Sequence, residues 1–121
     1  MAIVLQKDMR KVDSILGRVF CNGRYYGDFA AILNDTVKDP LIPGIYSLHD
    51  SLYGDSYVDV VNRDGNTIAT LGHKGSTAKL SILVGLDGLS FRASSSAFAA
   101  IKGLYELGEC RLVVREPLTM R

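Results

Sequence analysis

Cysteine is scarce and unclustered. Cys21 and Cys110 are the only two, and no C-x-x-C occurs. This excludes the zinc clips and thioredoxin-type redox motifs that need paired thiols. Both cysteines fall in apolar alternating runs on expected strands, so two buried, reduced thiols are expected. Histidine is equally sparse: His49 and His73 lie in separate segments without helical pairing. Asp50, Asp55 and Asp59 gather only loosely around His49, and Asp59 alternates within a strand pattern, so no metal or other cofactor is expected. No run approaches the roughly 18 apolar residues of a membrane helix. The start, MAIVLQKDMRK, lacks the basic-then-apolar order of a secretory leader, so no signal peptide is expected. Charge of neither sign is in excess. A net charge of +1 over 121 residues offers no global electrostatic case for nucleic acid. No repeat, low-complexity tract or linker-like composition shift divides the chain, so one domain spanning 1–121 is expected.

What remains is the balance of a globular protein, 47% apolar and 22% charged. Short strands dominate the pattern. Ile3 to Met9 and Ser14 to Cys21 read as strands, the second rich in β-branched and aromatic residues. Asn22-Gly23 is a strong hairpin signal, because both turn positions favour positive φ. Arg24 to Leu33 returns from it. Asp35 to Pro43 is a loop, and Pro43-Gly44 introduces the strand GIYSLHD. Tyr57 to Val61 pairs with Thr67 to Leu71 across Arg63-Asp64-Gly65-Asn66. Leu80 to Val84 is a short buried strand, and CRLVVRE is the last. One helix is expected at about 96–107. The serines before it can cap it, and Phe98, Ile101, Leu104, Tyr105 and Leu107 form one apolar stripe. Gly108 stands where a left-handed C-terminal cap belongs. The fold class is therefore mainly β, a β-sandwich or partly closed barrel of short strands, with one helix near the C-terminus.

The chemistry-bearing stretch is LGHKGSTAKLSILVGL, Leu71 to Leu86. It has P-loop residue types in the wrong order and leads into a strand, so it is not a Walker motif. Backbone amides made approachable by Gly72 and Gly75, with donors from Lys74, Ser76, Thr77 and Lys79, can cradle an anion without a helix dipole. The competing reading is an ordinary turn with a polar top. His73 can act as a base or as an orienting donor, and Ser76, Thr77 and Ser81 are the hydroxyls near it in sequence. Arg18, Arg24 or Arg92 can reach the site from neighbouring elements, since arginine recognises carboxylate or phosphate bidentately.

Four pieces in order, ILGRVFCNGRYYGDFAAILND, LIPGIYSL, HKGSTAKLSILVG and SSSAFAAIKGLYEL, resemble a small family of phage and prophage proteins. That family carries a GELYVDGEF-like hairpin, an I-P-x-G-x-Y strand start, H-P-G-N-T-A followed shortly by G-C-I-L-V-G, and S-x-x-A-F on a helix. The family in turn is similar to the L,D-transpeptidase catalytic domain, in which a cysteine attacks murein peptide with a histidine nearby. The resemblance implies a β-rich fold and an ancestral site at His73 plus the cysteine position. Here that position is Ser81, the preceding loop is shorter, and the acidic residues of the family's loop are gone. Serine needs a well-aligned base where a thiol is already partly ionised, so loss of acyl transfer is the simplest expectation.

Three functions follow. The leading one is a non-catalytic, phage-associated domain that holds a small anionic ligand in the degenerate site. Gly72, His73, Lys74, Gly75, Ser76, Thr77, Lys79 and Arg92 would form that site. A nucleotide-type signal sequestered from host defence is one candidate. The second is a virion or tail assembly protein forming an oligomer with itself or with a host or phage partner. Tyr25, Tyr26, Tyr46, Tyr53 and Tyr57 would supply its contact surface. The third is a murein-active transpeptidase or hydrolase relative using Ser81 and His73. Host cytoplasm or virion is the expected location, with no membrane partner.

Overall fold

The computed structural model describes residues 3–11, 13–33, 41–74, 80–86 and 95–116. These form eight strands, β1 (Ile3–Arg10), β2 (Ser14–Cys21), β3 (Arg24–Leu33), β4 (Gly44–Asp50), β5 (Tyr57–Val61), β6 (Thr67–Gly72), β7 (Leu80–Leu86) and β8 (Arg111–Arg115), with one helix, α1 (Ser95–Glu106), before the last. The strands close into a barrel in the order β1-β2-β3-β7-β6-β5-β4-β8. Of the two expected forms, the structure has the barrel, and its closure is complete. Two seams are parallel, β1 with β8 and β6 with β7; every other pair is antiparallel.

Local chemistry makes the hairpins. Asn22 (φ 54°) and Gly23 (φ 82°) both occupy the left-handed region that a type I′ turn between β2 and β3 demands. Between β5 and β6 the organiser is Asn62. Its side-chain oxygen accepts from the backbone amides of Asp64 (3.0 Å) and Asn66 (2.9 Å), an Asx-type closure that fixes the register. At the end of α1 the amide of Gly108 donates to Tyr105 and that of Glu109 to Leu104, a Schellman motif with Gly108 at φ 104°.

Strand alternation sorts side chains inside or outside. Ile3, Leu5, Val19, Phe29, Leu48, Val58, Val60, Leu71, Ile82 and Leu112 point into one core cluster. An eight-stranded barrel has just enough interior for such side chains to fill. Irregular steps in pairing at Lys7/Met9, Arg18/Phe20, Asp28/Phe29 and Val60/Val61 supply the bends that closure requires.

The two barrel ends are closed differently. At one end β7 stops and β8 begins, and α1 lies across it, sinking Ala97, Phe98 and Ile101 into the core. Leu107 does not join this stripe. It falls just past the helix end and is 86% exposed. At the other end Leu41 is fully buried, ahead of β4. There Lys7, on the inward face of β1 and only 8% exposed, donates to the Leu41 carbonyl (2.8 Å) and pairs with Glu116 (3.3 Å). The expected pair of buried thiols is half right. Cys21 is buried, but Cys110 is exposed and free, because the helix cap consumes the residues before β8 and the strand starts only at Arg111.

Inside the barrel, Gly17 faces Phe29 across the β2–β3 ladder. A methyl group there would stand 2.0 Å from the Gln6 carbonyl oxygen and 2.5 Å from the Phe29 ring. Because the nearer obstacle is backbone, Gly17→Ala is expected to cost more than the ~1–3 kcal/mol of ordinary overpacking. A urea midpoint within error of wild type would contradict this packing.

Candidate functional site

β6 delivers Gly72 and, beyond its end, His73 and Lys74 to the barrel end that α1 covers. Leu71 points inward, so Gly72 points outward, paired with Tyr57 of β5. A Cβ on Gly72 would meet the Tyr57 ring at 2.8 Å and the Ser56 carbonyl at 2.9 Å. Gly72 is therefore explained by packing: the Tyr57 ring lies where its side chain would be. His73 turns toward the helix. Its ring is 5.7 Å from that of Phe98, tilted by 45°. Phe98 belongs to the core cluster, so the imidazole sits on the core side of the rim. Nδ1 of His73 is buried and has no hydrogen-bond partner among the described residues. Lys74 is exposed beside it. Gly75, Ser76, Thr77, Lys79 and Arg92 lie outside the described residues.

Ser81 lies on β7 between Leu80 and Ile82, both core residues, so its side chain faces the outside of the sheet. It is nevertheless only 2% exposed. His73 and Ser81 thus sit on opposite sides of the sheet and do not form a base–nucleophile pair. The register instead aligns Ser81 with Thr70, Thr70 with Asp59, and Asp59 with His49, a polar row across the outer face of β7, β6, β5 and β4. Within it Thr70 donates to Asp59 at 3.1 Å. His49 stands exposed at its edge. Asp50 faces elsewhere, accepting from the Tyr105 hydroxyl at 2.8 Å and tying α1 to β4. Among the described residues no cluster of three His, Cys, Asp or Glu side chains could hold a metal ion.

The arginines diverge. Arg18 is engaged with Asp8 through two contacts, 2.8 and 3.0 Å, on the outer face. This ion pair holds the Asp8 carboxyl below its ordinary range. Arg24 sits at the β2–β3 hairpin with its guanidinium 5.8 Å from the Tyr26 ring centre. Burial pushes the Cys21 thiol up to about 11, which leaves it un-ionised and unreactive near neutrality. The tyrosines do not form one surface: Tyr25 and Tyr53 are exposed, whereas Tyr46 is buried with its hydroxyl donating to the Ile42 carbonyl. Phe98 as the floor beneath His73 and Tyr57 as the cover of Gly72 escaped sequence reasoning, because both contacts join distant segments.

No protein-family model matches the chain, and no curated protein and no solved structure matches it either.

Two outcomes follow from the helix that carries this site. Phe98 is 6% exposed, so Phe98→Ala is expected to cost about 3–5 kcal/mol in denaturant unfolding. A loss below about 1 kcal/mol, the ordinary range of a mild substitution, would show that α1 is not docked through Phe98. The Tyr105 hydroxyl donates to the Asp50 carboxylate, which raises its pKa above the ordinary 10. A group raised on folding stabilises fully below its unfolded pKa, and that contribution fades as pH climbs through the folded value. Tyr105→Phe is therefore expected to lower the urea midpoint at pH 7 and to converge on wild type above pH 10. Parallel midpoint curves over pH 7–11 would exclude the Tyr105–Asp50 bond.

Proposed function

We propose that the chain is a non-catalytic binding domain of the phage-associated, transpeptidase-like kind, and that it holds a small anion at the His73 rim. The observation that carries this reading is the buried, unpartnered Nδ1 of His73. A polar atom withdrawn from water without a partner costs free energy of about 1–3 kcal/mol, which a bound donor or acceptor group would recover. Protonated, His73 would donate from that atom to an anionic oxygen. Lys74 makes no ion pair among the described residues and adds an exposed positive charge at the same rim. The separation of Ser81 from His73 favours binding over acyl transfer, since a serine needs its base within hydrogen-bond reach. Gly75, Ser76, Thr77, Lys79 and Arg92 complete the site in this proposal. A phosphate-bearing, nucleotide-type molecule is its natural ligand class, with sequestration of a host signal as the biology.

The test is a thermal-shift screen of wild type and His73→Ala against phosphate, mono- and cyclic nucleotides, and murein fragments. A ligand at a hundred times its Kd adds about 2.7 kcal/mol, which is about 10 °C for a domain of this size. A shift in wild type that disappears in His73→Ala is the expected result. No shift with any ligand, or the same shift in both proteins, would reject the site.

A second reading, an assembly protein that packs on itself, rests on an apolar stripe outside the barrel. The register aligns Ile45, Val113, Val4, Phe20 and Tyr25 across β4, β8, β1, β2 and β3. Ile45 is 56% and Tyr25 53% exposed. Val4, Phe20 and Val113 between them are partly buried, and Arg18 and Arg115 lie over the Phe20 ring; exposed apolar surface at the two ends can mark interaction sites. Sedimentation velocity is expected to show a dimer or larger species that Ile45→Asp returns to monomer. Wild type monomeric at high concentration would remove this reading.

A further inference from the structure

The first site sits at the start of α1, but a separate groove opens beside its other half, six residues and roughly 9 Å further along the axis. It runs between α1 and the β2–β3 hairpin, has a volume of about 410 Å³, and is lined by Cys21, Arg24, Tyr26, Ala100, Gly103 and Leu104 among others. That volume falls in the range of small-molecule sites.

Two features mark this groove as more than a packing gap. The first is Gly103. Glycine inside a helix is disfavoured, and other glycines here have a reason: Phe29 lies against Gly17 and Tyr57 against Gly72, while Gly23, Gly54, Gly65 and Gly108 adopt positive φ. A Cβ at Gly103 would meet nothing within 4 Å, and its φ is not in the left-handed region. The missing side chain is required neither by a close contact nor by the backbone; its structural consequence is that the groove stays open. The second is Arg24. Its guanidinium rests over Tyr26 and has no carboxylate partner among the described residues. A guanidinium at this distance from a ring can still offer its N–H groups to an oxyanion, bidentately where geometry allows. Among the described residues no acidic one lines the groove.

We propose that this groove binds an amphipathic anion, its oxyanion head on the edge of Arg24 and its apolar body along Tyr26, Ala100 and Leu104. Medium-chain carboxylates and aromatic sulfonates or carboxylates share that chemistry.

The probe is 8-anilinonaphthalene-1-sulfonate, titrated by fluorescence, with decanoate as competitor and the uncharged N-phenyl-1-naphthylamine as control. Wild type is expected to bind the sulfonate saturably, decanoate to displace it, and amide shifts to concentrate in residues 21–26 and 99–107. Arg24→Gln, at an exposed position, is expected to weaken the sulfonate about tenfold or more, the effect of losing one charged hydrogen-bond donor, while sparing the neutral probe. Gly103→Phe, which fills the groove from an open position, is expected to abolish both. His73→Ala is expected to change neither. Absence of saturable binding in wild type, or sulfonate affinity unchanged in Arg24→Gln or in Gly103→Phe, would overturn the proposal. Loss of binding in His73→Ala would overturn it too, by assigning the probe to the other end of the helix.

Discussion

The parallel pairing of β1 with β8, Ile3 opposite Leu112 through Gln6 opposite Arg115, joins strands from opposite ends of the chain and closes the ring. Without it β1 and β8 would both be edges, with rows of unpaired amides and carbonyls open to other chains. Two polar contacts reinforce the seam. Arg115 donates to the Gln6 side chain at 3.1 Å, and Lys7 reaches Glu116 just beyond β8. The entropic cost of so long a loop rises only logarithmically with its length, and the hairpins have already shortened it by the time β8 arrives. β8 can arrive only because α1 carries the chain across the barrel end. The helix is therefore part of the closure, and its burial of Phe98 and Ile101 fills the end it crosses. At the opposite end the counterpart is Lys7, a cation among inward residues, whose bond to the Leu41 carbonyl fastens the segment entering β4. A buried charge of this kind is tolerated only with partners.

Strands and turns were readable because their causes are local. Asn22-Gly23, Arg63 to Asn66 and Pro43-Gly44 place strand ends within a residue or two of those observed, and Gly108 marks the end of α1. What could not be read is what depends on distant partners: the strand order, the two parallel seams, and the burial of Leu41 inside a stretch that looks like plain loop. Cys110 shows the mechanism of an error. It continues the apolar pattern of the residues after it, and its carbonyl even accepts from Leu48 at 2.7 Å, extending the ladder. Yet it lies between the helix cap and the first strand residue, and its side chain faces solvent.

The candidate site shows the same division more sharply. His73 and Ser81 are near in sequence, and the spacing alone invites a catalytic pair. Strand parity decides otherwise. β6 ends with Leu71 inward and Gly72 outward, which sends His73 back toward Phe98. β7 begins with Leu80 inward, which sends Ser81 out beside Thr70. The connection between the strands resets the alternation, so sequence spacing does not encode which face each residue takes. The same parity assembles Ser81, Thr70, Asp59 and His49 into one row from four separate strands, a juxtaposition visible only once the register is known.

Glycines then separate packing from function. Gly17 and Gly72 are each answered by an aromatic ring lying where a side chain would go, a device that lets a small barrel hold large rings without strain. Gly72 therefore lends the anion loop less support than its place beside His73 suggests, and the weight of that reading shifts to the imidazole itself. Gly103 has no such answer, and it borders open space beside Arg24, which has no carboxylate partner among the described residues. Where neither a neighbouring ring nor a positive φ accounts for a glycine, as at Gly103, the space it leaves is where a ligand has room to enter.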